Sequence, residues 1–171
     1  IRKDAGMLGV PQLIVYLIDK DSRVLAGNSD EREALGTTFD IVGLPDASVK
    51  ESKDRVRSAL KNCGFDFPTV RIIVNLAPAD IKKEGPVYDL PILIALLKAT
   101  GQISASLDDW AFVGELSLSG EVRKINGVLP MAIKAQSAGI KRLFVPFENA
   151  CEGAVVKGVE IYPLAKYSIL R

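Results

Sequence analysis

The sequence predicts an α+β fold, one sheet with helices packed on it, and three observations carry that expectation. Strand-like and helix-like stretches mix without the strict alternation of a doubly wound sheet, hairpin signals interrupt them, and a strand, loop and buried-helix unit stands at the centre. That unit runs from Arg71 to Gly101. It opens on the β-type run Ile72 to Leu76, passes through a polar turn holding Pro78, Asp80, Lys82, Lys83 and Gly85, and enters a helix. Asp89 is the expected N-cap, because its carboxylate can accept from an unpaired first-turn N–H, and Pro91 fits the first turn, where a missing N–H costs little. Gly101 is the expected stop. Leu90, Leu93, Ile94 and Leu97 form one face while Ile92, Ala95 and Leu96 fill the other, so the helix is apolar nearly all round and belongs in the middle of a domain.

The remaining elements follow from local pattern. Gln12 to Asp19 reads as a strand, with Asp21 and Ser22 turning it into a hairpin with Arg23 to Ala26, and Gly27 to Thr38 reads as a loop with a short helical turn at Asp30 to Leu35. Phe39 to Val42 is a short strand closed by Gly43-Leu44-Pro45. A helix follows to Cys63, begun either by a capping box of Ser48 and Glu51 or by Asp46 alone, with Val49, Val56, Ala59, Leu60 and Cys63 as its buried stripe. Lys50, Lys53, Asp54, Arg57 and Lys61 lie towards water. Past the central unit, Trp110 to Leu118 is expected to be one strand, turned by Ser119-Gly120 into Glu121 to Lys124. A helix from Leu129 to Ala138, a strand at Lys141 to Val145, a short helix at Glu148 to Val155 and a last strand at Val159 to Tyr162 complete the chain.

Composition narrows the chemistry. With 171 residues, 48% of them hydrophobic, the chain can bury a sizeable core as one domain. Its 22 basic and 21 acidic residues leave a formal charge of +1, so bulk electrostatics make no case for nucleic acid or an anionic membrane. Histidine is absent, which removes the usual general base near neutral pH and the commonest metal ligand together. Cys63 and Cys151 lack C-x-x-C spacing and are expected to be buried and reduced. No apolar run reaches bilayer length and no signal peptide is visible, so a cytoplasmic protein without a membrane partner is expected; the start at Ile1 suggests a piece of something longer. No phosphate-cradling G-x-x-x-x-G-K-[ST] loop or dinucleotide fingerprint occurs. Adjacent Asp108 and Asp109 suit a solvated turn better than acid/base work, and Tyr88 suits packing better than proton donation.

Three ordered blocks carry a resemblance: F-D-I-V-G-L-P-D-A-S-V-K-E-S-K-D-R-V-R-S-A-L at Phe39 to Leu60, V-N-L-A-P-A-D-I-K-K-E-G-P-V-Y-D-L-P-I at Val74 to Ile92, and G-E-L-S-L-S-G-E-V-R-K-I-N-G-V-L-P-M-A at Gly114 to Ala132. They resemble the N-terminal domain of the magnesium-chelatase-like AAA+ proteins of the YifB/ComM group, itself similar to the Lon proteolytic domain. The resemblance implies a ribosomal protein S5 domain 2-like fold over residues 39–171, with residues 1–38 supplying N-terminal strands and a variable loop of the same domain.

Lon's dyad, as the resemblance implies it, is a serine in a G-P-S-A-G turn activated by a helical lysine. Here the turn is Gly85-Pro86-Val87-Tyr88-Asp89, so Val87 stands at the serine position. Counting back from Ala138-Gly139-Ile140-Lys141, Met131 stands at the lysine position. Neither side chain can attack a carbonyl or accept a proton near neutral pH, so no catalytic residue is expected. The alternative dyad pairs Lys134 with Ser117 or Ser119. The family further implies an AAA+ module in the same chain, ATP and magnesium bound by the full-length protein and none by this domain, a homo-oligomeric ring and a DNA-remodelling, branch-migration function. Lys82, Lys83, Arg123 and Lys124 are the candidate nucleic-acid contacts, and a magnesium-chelatase ATPase subunit is the competing function.

Overall fold

The computed structural model describes the backbone of residues 12–18 and, with side chains, residues 38–166. The hairpin partner expected at Arg23 to Ala26 and the loop at Gly27 to Thr38 lie outside the described residues, apart from Thr38 itself. Elements run β1 (Gln12–Ile18), β2 (Phe39–Val42), α1 (Ala47–Asn62), β3 (Arg71–Ala77), α2 (Asp89–Ala99), β4 (Trp110–Phe112), β5 (Glu115–Leu116), β6 (Val122–Arg123), α3 (Val128–Ser137), β7 (Arg142–Pro146), α4 (Ala150–Gly153) and β8 (Glu160–Leu164).

Among the described residues the strands form three sheets, where the sequence had suggested one. β3 lies between antiparallel β1 and parallel β2; β7 lies between β4 and β8, all parallel; β5 and β6 pair as an antiparallel hairpin. The architecture is a mixed α/β one. The division comes from Gly114, inside what reads as one strand from Trp110 to Leu118. Its N–H donates to Val87 O at 3.2 Å and its carbonyl accepts from Leu90 N at 3.1 Å, so the chain turns aside there to satisfy the start of α2. β4 therefore joins β7 while β5 pairs with β6.

Strand alternation assigns the two faces of the second sheet. Phe112 and Phe144 point into the larger apolar cluster, where their rings stack at 4.6 Å and Trp110 and Tyr162 lie 5.0 Å from Phe144. Ala111, Val113, Leu143 and Val145 point the other way and meet Val128, Ala132 and Ala135 of α3 in a second cluster. The larger cluster also takes Ile72, Val74 and Leu76 of β3, the buried stripe of α1, and α2. In α2 every residue from Asp89 to Leu97 is buried, as an all-round apolar helix requires.

Helix ends follow local chemistry. Asp46 caps α1 by accepting from Val49 N at 2.8 Å, the single-residue cap and not the Ser48–Glu51 box. Gly101, at φ +73°, closes α2 in a Schellman arrangement, with Gln102 N donating to Leu97 O and Gly101 N to Lys98 O. The expected short helix at Glu148 to Val155 is smaller, a 3₁₀ turn at Phe147–Asn149 followed by the single turn of α4. On α4, Gly153 faces inward against Ile161 and Val128 while Cys151 faces out, so that thiol is exposed and not buried; Cys63 is half-buried, and both are free.

Asp89 does not cap α2. A 3₁₀ turn at Pro86–Tyr88 runs directly into the helix, which places Asp89 inside the first turn and frees its carboxylate for longer-range work. Arg55 Nε donates to Oδ2 at 2.6 Å, Arg55 NH2 to Oδ1 at 3.1 Å, and Leu116 N to Oδ2 at 3.0 Å. Asp89 is wholly buried and its bond to Arg55 raises the guanidinium pKa above its ordinary value. One carboxylate thus fastens α1, the start of α2 and β5 together.

Two stability predictions follow from these contacts. Asp89→Asn removes the buried counter-ion of Arg55, leaving it only the exposed Glu51 at 3.4 Å, and is expected to cost about 3 kcal/mol in urea unfolding; a loss within the error of the extrapolation would mean that the pair carries no structural weight. Gly43→Ala places a Cβ 2.1 Å from Leu76 O at a residue with φ +105°, so a lowered urea midpoint worth at least about 2 kcal/mol is expected. An unchanged midpoint would contradict the tight approach of the β2 exit to β3.

Candidate functional site

The turn that the sequence resemblance aligns with the Lon serine loop is built from Gly85 to Asp89. Gly85 sits at φ +78°, a conformation suited to glycine, and its N–H donates to Asp46 Oδ2 at 3.1 Å. Burial works to raise the pKa of Asp46, but the Val49 and Gly85 N–H bonds and the charge of Lys82 outweigh it and hold the carboxyl below its usual value. Val87 follows in the 3₁₀ turn with its carbonyl held by Gly114 N. Tyr88 packs against the larger cluster, and burial, with Asp46 and Glu84 nearby, pushes its phenol pKa up. Packing is the role read from its sequence context.

Val87 and Met131 are both half-buried and both pack against the second apolar cluster, the one formed by Ala111, Val113, Val128 and Ala132. The two positions assigned to a serine and a lysine from sequence are thus brought to the margin of one cluster, and both are occupied by side chains without a proton to exchange.

The alternative dyad is not assembled. Ser117 Oγ is 2.8 Å from Ser119 Oγ and accepts from Glu121 N at 2.9 Å, so the hydroxyl stabilises the hairpin turn between β5 and β6. That turn sits on the end of α1, where Asn62 Nδ2 donates to Leu118 O at 2.6 Å. Lys134 lies on the exposed side of α3, and among the described residues no hydrogen bond joins it to either serine. Asp108 accepts from Ser106 Oγ at 2.6 Å and Asp109 lies 3.6 Å from Arg142, the arrangement of a solvated turn and an ion pair.

The four basic candidates separate. Lys82 is exposed and paired with Glu84 at 2.7 Å. Lys83 requires a correction: it is wholly buried, its amine donating to Pro78 O, and its backbone bridges to Leu44 and Asp46. Adjacent residues in extended chain point to opposite sides, and the short bridge between Lys83 and Pro45 turns this lysine inward, away from any phosphate. Arg123 and Lys124 are exposed at and just after β6, where Lys124 lies within the field of Glu152. Among the described residues no ion pair or hydrogen bond links the Lys82 loop to that hairpin.

Two polar side chains that the sequence did not single out hold the neighbouring loop. Asn149 is buried and clamps the backbone of Ile125, accepting from its N–H at 3.0 Å and donating to its carbonyl at 2.8 Å. Glu152 accepts from Leu129 N at 2.9 Å and from Asn149 Nδ2 at 3.0 Å. The Leu129 bond is the main cause of its lowered pKa, and it supplies the cap that Gly127 cannot give α3. The P-F-E-N run at Pro146 to Asn149 was the available signal for the first.

Among the described residues no group of three or more His, Cys, Asp or Glu is placed to hold a metal ion, and no helix is long and apolar enough to cross a membrane.

Comparison with known proteins follows the same lines. Residues 30–149 match the family described as subunit ChlI of Mg-chelatase. Competence protein ComM of Haemophilus influenzae is 47% identical over 125 residues, which are 72% of this chain and 24% of that protein. The YifB protein of Salmonella typhimurium is 49% identical over 117 residues, 68% of this chain and 23% of its own length. Lon protease 2 of Bacillus subtilis is 29% identical over 159 residues, 91% of this chain and 28% of that protein. The chain therefore spans about a quarter of the length of the curated relatives it matches. On the family match and these relatives, the chain belongs to the Mg-chelatase ChlI-like family that includes ComM and YifB.

Proposed function

We propose that this chain is a noncatalytic Lon-like domain, with the ribosomal protein S5 domain 2-like fold, of a magnesium-chelatase-like AAA+ ATPase. Its role is assembly, regulation or substrate guidance of a homo-oligomeric, ATP-driven ring that remodels DNA by branch migration in the cytoplasm. The observation that carries the reading is the replacement of the dyad by Val87 and Met131 at the margin of one apolar cluster. A hydroxyl nucleophile needs a base to take its proton, and neither member of that pair is present. The competence role named for the Haemophilus relative supports the reading of the whole protein. The family description favours a second reading, the ATPase subunit of a magnesium chelatase, which shares the same nucleotide chemistry.

ATP and magnesium do not fit the residues described here. The glycine turn that comes nearest to a phosphate cradle has its Gly85 N–H engaged by the Asp46 carboxylate, which repels a phosphate. Nucleotide binding belongs, on this reading, to the AAA+ module of the same polypeptide.

Incubation with an unfolded protein and a peptide reporter is expected to give no cleavage, identical for the wild type and Lys134→Ala. Cleavage lost in Lys134→Ala would establish a relocated Ser/Lys peptidase and overturn the noncatalytic reading. Contact with DNA is tested by titrating single-stranded and branched DNA at low salt, where phosphate contacts are strongest. Arg123→Ala combined with Lys124→Ala is expected to reduce the salt dependence of binding by about two charges, and Lys82→Ala by about one. No binding at low salt, or an unchanged salt dependence in these variants, would remove the domain from the DNA path.

A further inference from the structure

The second sheet ends in a group of exposed apolar side chains that belong to neither apolar cluster of the described residues. Leu129 and Ile133 stand one turn apart on the outer face of α3, 37% and 52% exposed, while Val128, Ala132 and Ala135 face inward. Phe147 is 64% exposed immediately after β7. Hydrogen bonds hold Leu129 and the Phe147 turn at the same end of the sheet: Leu129 N reaches Glu152, Glu152 reaches Asn149, and Asn149 belongs to the turn that Phe147 opens. An exposed phenylalanine and two branched aliphatics are the composition of an interface centre, and Lys134 on α3 and Glu148 next to Phe147 are exposed charges of opposite sign on the same elements.

The course of the chain indicates the occupant. β8 runs parallel to β7 with Leu164 opposite Pro146, so the last strand finishes beside Phe147. Lys166 then bridges to Glu121, keeping the exit against the β5–β6 hairpin. The relatives matched by this chain are about four times longer than the matched stretch. On the reading of the whole protein, a module joined after β8 is delivered at the end of the sheet where the apolar group stands, and its covalent attachment raises the effective concentration for docking.

We propose that Phe147, Leu129 and Ile133 form the seat on which the ATPase module of the same polypeptide docks. The inference rests on the reading of the whole protein as an AAA+ ATPase and adds the surface through which this domain meets the module. A rigid seat transmits movement of the module to α3 and β7, whereas a loose tether does not.

The test uses the full-length chain with a protease recognition site inserted after Arg171. ATP hydrolysis is measured before cleavage, and co-elution of the two parts by size exclusion afterwards. In the wild type the parts are expected to co-elute; in Phe147→Asp and in Ile133→Asp they are expected to separate, with the far-ultraviolet circular dichroism of the uncut chain unchanged. Val42→Asp, a substitution at an exposed apolar residue of the first sheet, is expected to behave as the wild type. Separation of the wild-type parts, or co-elution undisturbed in both seat variants, would overturn the seat. Separation in Val42→Asp equal to that in the seat variants would overturn its location. A full-length chain without ATP hydrolysis would instead sink the ATPase reading, while co-elution still reports on the seat.

Discussion

The contact on which the rest of the structure depends is the buried pair of Arg55 and Asp89. A carboxylate taken wholly out of water is tolerable only with a counter-ion and with its oxygens occupied, and Asp89 has both: two bonds from one guanidinium and one from the backbone of Leu116. Arg55 also donates along α1, to the carbonyl of Ser48, the Ser52 hydroxyl and the Glu51 carboxylate. The guanidinium is therefore oriented from its own helix before it meets the acid. Because Asp89 is the first residue of α2, this pair fixes where an otherwise featureless apolar helix begins and how it is rotated against α1.

An all-round apolar helix needs such a fixed point. Leu90 to Leu97 would be buried equally well in several registers, since hydrophobic burial is non-directional and no face of α2 prefers water. Directional contacts at its two ends resolve the ambiguity. Asp89 and the Gly114 carbonyl hold the start, and the Gly101 turn, with Gln102 bonded to Leu97, holds the finish. The turn carrying Val87 is then positioned as a consequence: the 3₁₀ residues before Asp89 are set by the same bonds that begin the helix.

Where an element's character depends on neighbours in sequence, it was legible in advance. The Gly101 stop and the strands at Phe39 to Val42 and at β7 follow from residues within one turn or one pleat, and Asp46 was one of the two caps that local pattern offered for α1. What escaped were partnerships across long stretches of chain. Asp89 looks like a cap from its own vicinity and becomes an ion-pair partner only through a residue 34 positions earlier. Lys83 looks like half of a basic pair, and only the bridge to the β2 exit shows it turned inward. The strand beginning at Trp110 looks continuous because nothing local announces that Gly114 must serve α2.

The same distinction explains what kind of site this scaffold retains. The buried Asp89 and Asn149 are each tied by at least two hydrogen bonds that hold one segment to another, and Ser117 is tied within its own hairpin turn. A catalytic hydroxyl and amine would instead have to keep their polar atoms available to a substrate, in a pocket whose walls tolerate an uncompensated charge. Val87 and Met131 contribute contact area to an apolar cluster. The buried Asp89 and Asn149 serve geometry, each holding one segment of backbone against another, while Phe147, Leu129 and Ile133 stand with Val42, Leu118 and Val155 among the apolar side chains left outside.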